Sequence, residues 1–276
     1  MIIKPTDNGR EIPWIDDWLR PVVRLHQSPG TPARADSHSG GPMLWPSDEP
    51  WPHCDGSSHG TGYDLTAEQV ELVRGRSTPF TGAMQLYRRD FPELPFPDGT
   101  DLLQVFLCLL EHEEIYGPDV HLVWRAAGEV TDPLAEPPLP EVVDPVYAIW
   151  PCVFTPCRSH EYPMHYEIPH ELLYELEFAQ APDFRGGPVE CWPGHGDSTK
   201  IGGWTRWYRG MPGGETCPDC GALRVQMLAL ASSENECPAC DRPEGKAGWR
   251  LDGRDDTVNV FACPKDPRHA LWVDIQ

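Results

Sequence analysis

The sequence lacks long apolar segments and is poor in basic residues. No apolar run reaches the roughly 18 residues that a membrane-spanning helix needs, so we predict no membrane span. The first residues, MIIKPTDNGREIPW, have neither the basic start nor the apolar core of a signal peptide, which predicts a cytoplasmic protein. The 22 lysine and arginine residues stand against 43 acidic residues, a formal charge of -21. This balance disfavours binding to nucleic acid, because basic side chains supply most of the affinity for phosphates.

The sequence also lacks the short motifs that mark common catalytic centres. It contains no G-x-S-x-G motif, P-loop, dinucleotide-binding glycine motif or H-E-x-x-H motif. Glu111, Glu113 and Glu114 surround His112 and could in principle serve acid–base chemistry. Such a charge run more commonly marks a solvated surface. We therefore expect a binding protein rather than an enzyme.

The composition indicates an α+β fold with mostly antiparallel sheet. The 32 prolines and 25 glycines indicate many turns and disfavour an all-helical protein. Two helices are predicted, one over Thr66–Arg74, where Thr66 and Gln69 have capping-box spacing, and one over Pro169–Ala179. The other apolar runs are short and contain β-branched or aromatic residues, which indicates strands. These runs are LLQVFLCLL (102–110), HLVWRA (121–126), VYAIWPCVF (146–154), LRVQMLALA (223–231) and TVNVFA (257–262).

The two ends of the chain contain features in the same order, which predicts an internal duplication. We infer a first half-domain in residues 1–130 and a second in residues 199–276. An acidic, proline-rich crossover and a helix occupy residues 131–198 between them. The corresponding pairs are Gly41 and Gly203 and also Trp45 and Trp207, each 162 residues apart, and Cys108 and Cys263, 155 residues apart.

The cysteines carry the most specific motif of the chain. Ten cysteines in a cytoplasmic protein are better explained as metal ligands and buried residues than as disulfides, because the cytosol keeps thiols reduced. Cys217, Cys220, Cys237 and Cys240 form a C-x2-C-x16-C-x2-C motif. Two thiolates from each pair would complete a tetrahedron around one structural zinc ion held by a C-terminal hairpin. Four cysteine ligands leave no open position for a substrate, which argues against zinc catalysis.

Other residues are alternative ligands. Cys263 could replace one of the four cysteines, and His269 is a more distant candidate. A second zinc site stays open as well. His53, Cys54 and His59 form a cluster that is either such a site or a degenerate remnant of the repeat, and Cys152 and Cys157 could supply further ligands.

Motifs within residues 38–108 and 199–276 are shared with known families. Those of the first half are GGP (40–42), WP (45–46 and 51–52), QL (85–86) and LLQVF (102–106). Those of the second half are KIGG (200–203), Trp207, CPDCG (217–221), Gln226 and NVFACP (259–264). The first set resembles the YwqG-like family of bacterial proteins, a domain of unknown function. The second set resembles the related eukaryotic programmed cell death protein 2 family.

The resemblance implies a duplicated α+β fold and no established enzymatic activity. Eukaryotic relatives act as chaperones for a ribosomal protein, and bacterial relatives have been proposed as immunity proteins against secreted toxins. Both roles require that a protein is bound.

The predicted function is therefore that of a zinc-stabilised module that binds a basic protein, in a chaperone-like or toxin-immunity role. Residues 101–180 carry 15 acidic and 2 basic side chains, a net charge of -13, which would attract such a partner. Two alternatives stay open, namely an enzyme with a site in the cleft between the halves and a nucleic-acid-binding zinc module. The second would stack bases on WTRWYR (204–209), although we expect these aromatic residues to pack inside the fold.

Overall fold

The computed structural model describes residues 4–7, 10–60, 62–164, 167–173, 175, 197–209, 213, 216–237, 239–246, 248–251 and 256–276. These residues include two α-helices, α1 (Ala67–Val73) and α2 (His170–Leu173), and short 3-10 helices at Ile15–Trp18 and Ala127–Glu129. The strands in chain order are β1 (Thr6–Asp7), β2 (Arg10–Glu11), β3 (Arg20–Arg24), β4 (Gln27–Pro29), β5 (His38–Ser39), β6 (His53–Cys54), β7 (Thr78–Pro79), β8 (Thr81–Tyr87), β9 (Leu102–His112), β10 (Gly117–Arg125), β11 (Ala148–Ile149), β12 (Cys152–Phe154), β13 (Cys157–Glu161), β14 (Lys200–Gly202), β15 (Val225–Ala231), β16 (Ser233–Glu234), β17 (Gly245–Lys246), β18 (Trp249–Arg250), β19 (Thr257–Ala262) and β20 (Trp272–Ile275).

Two antiparallel sheets of six strands dominate the fold. The first sheet has the order β10-β9-β8-β5-β12-β4, and the second has the order β13-β3-β14-β15-β19-β20. The remaining strands form two-stranded pairs, and all pairings are antiparallel. The predicted class, α+β with mostly antiparallel sheet, is therefore confirmed. The predicted apolar runs all contribute strands, including the long β9 and β15.

The chain crosses between the two sheets twice. The first crossing separates β3 in the second sheet from β4 in the first, and the second separates β12 in the first sheet from β13 in the second. The sheets therefore do not coincide with the predicted segments, because residues 1–130 and 131–198 each supply strands to both sheets. Strand β14 has only three residues and needs β3 as its second partner.

The main hydrophobic core lies between the sheets. Leu103, Val105 and Leu107 of β9 belong to it, together with Leu228 and Val260 from the second sheet. The alternate residues of β9 pack into another cluster on its opposite face, with Trp45 and Trp51 as neighbours. Because β9 is covered on both faces, its sequence is apolar at consecutive positions rather than at every second one.

The two predicted helices have different outcomes. α1 lies within the predicted Thr66–Arg74, and Thr66 and Gln69 form the expected capping box. The second prediction covered Pro169–Ala179, of which the structure has a helix at His170–Leu173, and residues 174 and 176–196 lie outside the described residues. The proline-rich stretch 131–145 contains neither helix nor strand. No helix in the described ranges has the length and apolar character to cross a membrane.

A buried ionic cluster joins strands β3, β13 and β14 of the second sheet. Glu161 of β13 accepts hydrogen bonds from Arg24 of β3 at 2.8 Å and from Lys200 of β14 at 2.7 Å. The backbone N–H of Trp204 donates to the same carboxylate at 2.9 Å. Gly203 must be glycine here, because it has a φ of +74° and a Cβ would lie 2.3 Å from the carboxylate.

Replacing the buried carboxylate should destabilise the fold strongly. Glu161→Gln leaves two buried cations without a counter-charge, which typically costs about 3–5 kcal/mol. The control is Glu93→Gln, which removes an exposed partner of Arg158 and should cost no more than about 1 kcal/mol. Urea unfolding of both variants, in buffer that contains zinc, measures the difference. Equal midpoints would show that the cluster contributes no more than a surface pair.

Candidate metal centres and the groove between the sheets

Twelve cysteine and histidine side chains form three groups in the described part of the chain. In each group the four ligand atoms lie within 4.8 Å of one another, so the group could hold a metal ion. We name them the crossover centre (His26, Cys157, Cys237, Cys240), the first-sheet centre (Cys54, His59, Cys108, His112) and the second-sheet centre (Cys217, Cys220, Cys263, His269).

The crossover centre lies where the chain passes between the sheets. His26 occupies the first crossing, directly before β4, and Cys157 begins β13 directly after the second crossing. Cys237 and Cys240 come from a turn of the C-terminal region, and the Cys240 Sγ lies 3.4 Å from the His26 Nε2. This one group therefore joins three distant parts of the sequence at the junction of the two sheets.

The ring of His26 is fixed by its surroundings. Its Nδ1–H donates to the Glu234 carboxylate at 3.0 Å, which leaves the Nε2 lone pair for the centre. That hydrogen bond raises the pKa of His26, although burial opposes the increase. The residue has a φ of +45°, a left-handed conformation that is costly for a side chain other than glycine. Such strain is typical of residues held in place for a functional site.

The first-sheet centre is buried at all four positions. Cys54 Sγ lies 3.4 Å from the His59 Nε2 and 3.3 Å from the His112 Nε2. Cys108 Sγ lies 3.5 Å from the same His59 nitrogen. Both rings use Nδ1 to bond a backbone carbonyl, that of Val73 for His59 and that of Leu110 for His112, each at 3.0 Å. The Nε2 atoms therefore both face the centre in the form that binds metal.

The second-sheet centre combines a cysteine turn with the connection between β19 and β20. Cys217 and Cys220 precede β15, whereas Cys263 directly follows β19 and His269 lies in the turn before β20. The Cys217 Sγ lies 3.5 Å from the His269 Nδ1, and the Sγ atoms of Cys220 and Cys263 are 3.4 Å apart.

The two C-x2-C motifs form turns of the same type. In the first, Cys217 N–H donates to the Ala222 carbonyl, and in the second Cys237 N–H donates to the Arg242 carbonyl, both at 2.8 Å. The residue after each second cysteine has a positive φ, +71° at Gly221 and +56° at Asp241. Each turn thereby points two sulfur atoms to one side, as the spacing predicts.

The prediction of one site that contains Cys217, Cys220, Cys237 and Cys240 is corrected by the structure. All four cysteines belong to groups that could hold a metal ion. The first pair, however, belongs to the second-sheet centre and the second pair to the crossover centre. The two pairs are far apart because β15 lies between them in the sequence, and its seven residues span about 20 Å when extended. The insert is therefore a long strand and not a hairpin that brings the pairs together.

Some members of the three groups were predicted from the sequence only as alternative ligands, and others were not predicted. Cys263 and His269 complete the second-sheet centre, and Cys54 and His59 complete the first, whereas His53 is exposed and bonds the Trp51 carbonyl. The spacing of Cys108 and His112 was a usable signal, because residues four apart on a strand point to the same face. Cys152 is buried outside the three groups, and Cys191 lies outside the described residues.

The surroundings of Cys237 and of Cys263 favour the thiolate. Burial opposes ionisation of Cys237, but hydrogen bonds from the backbone N–H groups of Ala239 and Cys240 and from the side chains of Cys240 and His26 lower its pKa to about 7. Burial likewise opposes ionisation of Cys263, and the N–H groups of Asp266 and Lys265 lower its pKa to about 6. Thiolates are the form of cysteine that binds metal.

A groove of about 950 Å³ separates the ends of the two sheets. Residues of the β9–β10 hairpin form one wall, and the residues of β20 form the other. Three carboxylates line it, those of Glu114, Asp119 and Asp274, and burial raises the pKa of Asp119 and of Asp274. The rings of Tyr63 and Tyr116 are 43% and 70% exposed beside them. The groove thus combines negative charge with accessible aromatic rings.

In comparisons with known proteins, no family model and no curated protein matches this chain. The resemblance to the YwqG-like family stays a prediction that rests on the quoted motifs.

Removing one centre should remove one metal ion. Cys54→Ser combined with Cys108→Ser takes both sulfur ligands from the first-sheet centre, so we expect elemental analysis to find one metal ion fewer per chain than in the parent protein. Cys152→Ser is the matched control, because Cys152 is equally buried but belongs to none of the three groups. A control variant that loses metal, or a double variant that retains all of it, would contradict this assignment.

The Glu234 carboxylate, which accepts a hydrogen bond from His26, should increase the metal affinity of the crossover centre. Glu234→Gln weakens the hydrogen bond that orients the ring, and changes of this kind typically reduce metal affinity by about 10–100-fold. Titration with a chromophoric chelator should show one of three metal ions released at lower chelator concentration. Glu236→Gln, an exposed position two residues along the chain, should leave the release curve unchanged. Identical curves for the two variants would show that Glu234 does not support the ligand.

Proposed function

We propose that the three centres hold zinc ions. Zinc–sulfur and zinc–nitrogen bonds of tetrahedral zinc give S···N edges of about 3.6 Å and S···S edges of about 3.8 Å. The S···N separations of 3.3–3.5 Å and the S···S separation of 3.4 Å are close to these edges. Thiolate and imidazole donors favour zinc over magnesium or calcium, which prefer oxygen ligands. We therefore propose three zinc ions per chain, whereas the sequence predicted one.

The proposed zinc ions are structural. Each centre supplies four protein ligands, which fill a tetrahedron and leave no position for a substrate or a reactive water. Ligation energy then contributes to folding, because such a site does not exist in the unfolded chain. In this proposal the functional surface of the protein therefore lies away from the zinc ions.

On this basis we propose that the chain is a zinc-stabilised protein-binding module that engages a basic protein, in a chaperone-like or toxin-immunity role. The observation that carries the proposal is the groove between the sheets, where Glu114, Asp119 and Asp274 meet the exposed rings of Tyr63 and Tyr116. Carboxylates attract lysine and arginine side chains, and aromatic faces bind the same cations. The cytoplasmic location is part of the same proposal.

The duplication of the chain is proposed on topological grounds. The order β5-β8-β9-β10 in the first sheet corresponds to β14-β15-β19-β20 in the second. In each sheet, one ligand pair precedes the second of these four strands, and the other lies at or just after the end of the third. Cys54 and Cys217 are equivalent in this comparison, and so are Cys108 and Cys263. This agreement supports two related half-domains that each carry a zinc site.

The structure does not favour the alternative of a nucleic-acid module. Trp204 and Trp207 are only 3% and 4% exposed, so they cannot form a stacking platform for bases. Trp204 packs against Trp18, and Trp207 stacks on Phe261. The expectation that these aromatic residues pack inside the fold holds for the two tryptophans, whereas Tyr208 is 52% exposed. The alternative of an enzyme in the cleft would rest on the same carboxylates as the binding role.

Binding to the partner should depend on salt. We expect affinity capture from the native host, followed by mass spectrometry, to recover a basic protein, and its association rate to fall as ionic strength rises. Replacing Glu114, Asp119 and Asp274 by their amides should slow association, whereas replacing the exposed Glu129, Glu136 and Glu141 by glutamine removes the same charge away from the groove and should have a smaller effect. Recovery of only acidic or neutral partners, or association that is indifferent to salt, would refute the proposed function.

A further inference from the structure

The groove runs along the edges of two strands. It contacts each residue of 271–276 in turn, and a second cavity of about 380 Å³ contacts each residue of 120–124. Side chains of a strand alternate between its two faces, so a groove that meets consecutive residues must follow the strand's edge. The two cavities share Val120 and Leu271, and we call the continuous depression that they form the edge trough.

Among the described residues, neither edge that flanks the edge trough is paired with a further strand. β10 is the terminal strand of the first sheet, and β20 is the terminal strand of the second. The strands run in opposite directions across the trough, since Gly117 at the start of β10 lies beside Ile275 at the end of β20. A terminal strand presents a row of N–H and C=O groups that can pair with another chain.

The register of β20 identifies the backbone groups that face the trough. Thr257 and Gln276 exchange two hydrogen bonds, at 2.8 and 3.0 Å. In an antiparallel ladder such pairs recur at every second residue, so Asp274 and Trp272 also bond to β19. The N–H and C=O groups of Val273 and Ile275 therefore point away from β19. Within the described ranges, no backbone hydrogen bond outside the ladder reaches these two residues.

The charges around this edge favour a cationic occupant. Asp119 and Asp274 lie on opposite walls, and Glu114 lies in the turn of the β9–β10 hairpin that contains Asp119. Two arginines line the edge trough, and each is paired with a carboxylate: Arg209 contacts Asp256 at 2.8 and 2.5 Å, and Arg268 contacts Asp266 at 2.6 Å. Exposed Tyr116 adds an aromatic face that a lysine or arginine side chain can cover.

We propose that the edge trough binds an extended segment of the basic partner, which adds a strand to β20 through the backbone groups of Val273 and Ile275 and places lysine or arginine side chains against Asp119 and Asp274. Addition of a strand supplies affinity through main-chain hydrogen bonds, whereas the side-chain contacts supply specificity. This inference rests on the proposed binding of a basic protein and states where and in which conformation the partner is held.

Hydrogen exchange at single amides tests the proposal. The probe is a nine-residue peptide of alternating lysine and valine, acetylated and amidated at its ends, added to the metal-loaded full chain. At a peptide concentration ten times its Kd, we expect exchange at the amides of Val273 and Ile275 to slow about tenfold, because exchange then proceeds from the unoccupied fraction. Trp272 and Asp274 serve as internal controls, since their amides already bond to β19 and should change little.

Two further arms separate strand addition from attraction by charge alone. Peptides methylated on all valine amides or on all lysine amides keep the same charge but lose alternate donors, and we expect at least one of them to bind tenfold more weakly than the parent. Asp119→Asn with Asp274→Asn should weaken the parent peptide more than Glu129→Gln with Glu136→Gln does.

The proposal is overturned if the probe does not bind, if both methylated peptides bind as tightly as the parent, or if protection appears elsewhere than at Val273 and Ile275. In the last two cases salt-dependent binding would leave the proposed function intact and refute only strand addition. The proposed function itself fails on the capture experiment, which does not depend on this edge.

Discussion

The passage of the chain between the two sheets at His26 constrains the rest of the structure. Only Leu25 and His26 lie between the last residue of β3 and the first residue of β4, which belong to different sheets. His26 in this short connection has a left-handed conformation, with a φ of +45°. The crossover centre uses this geometry, because it ties the His26 ring to Cys157 at the other crossing and to the turn of Cys237 and Cys240. A metal ion at this point would fix both crossings at once.

The fold separates the parts that hold it together from the part that can bind. Each of the three centres has four candidate protein ligands, and the ionic cluster around Glu161 is buried. The trough between the terminal strands β10 and β20 is accessible. Acidic residues at such edges disfavour pairing between copies of the same chain. In the proposed function, the same charges attract a basic segment.

Local features of the sequence predicted the helix α1 and the strands β9, β10, β11, β12, β15 and β19, because apolar runs and capping residues act over a few neighbouring positions. The same reasoning predicted the turn of each C-x2-C motif. It could not predict how the turns are partitioned among centres, which depends on where β15 carries the chain. His26 stands alone in the sequence and Cys157 was a candidate only together with Cys152, whereas the crossing of the sheets brings His26 and Cys157 into one group. Cys108 and His112 could have been predicted as a ligand pair, since their spacing on a strand places them on one face.

The donor set of bound zinc tests the central claim, which is that three mixed centres hold the fold. We predict from the three groups that X-ray absorption at the zinc edge will find eight sulfur and four nitrogen ligands shared by three ions, a ratio of two to one. Extended fine structure distinguishes the two donors by their bond lengths, about 2.3 Å for sulfur and about 2.0 Å for nitrogen. A spectrum with sulfur ligands alone and one zinc ion per chain would contradict the claim and restore a single four-cysteine site.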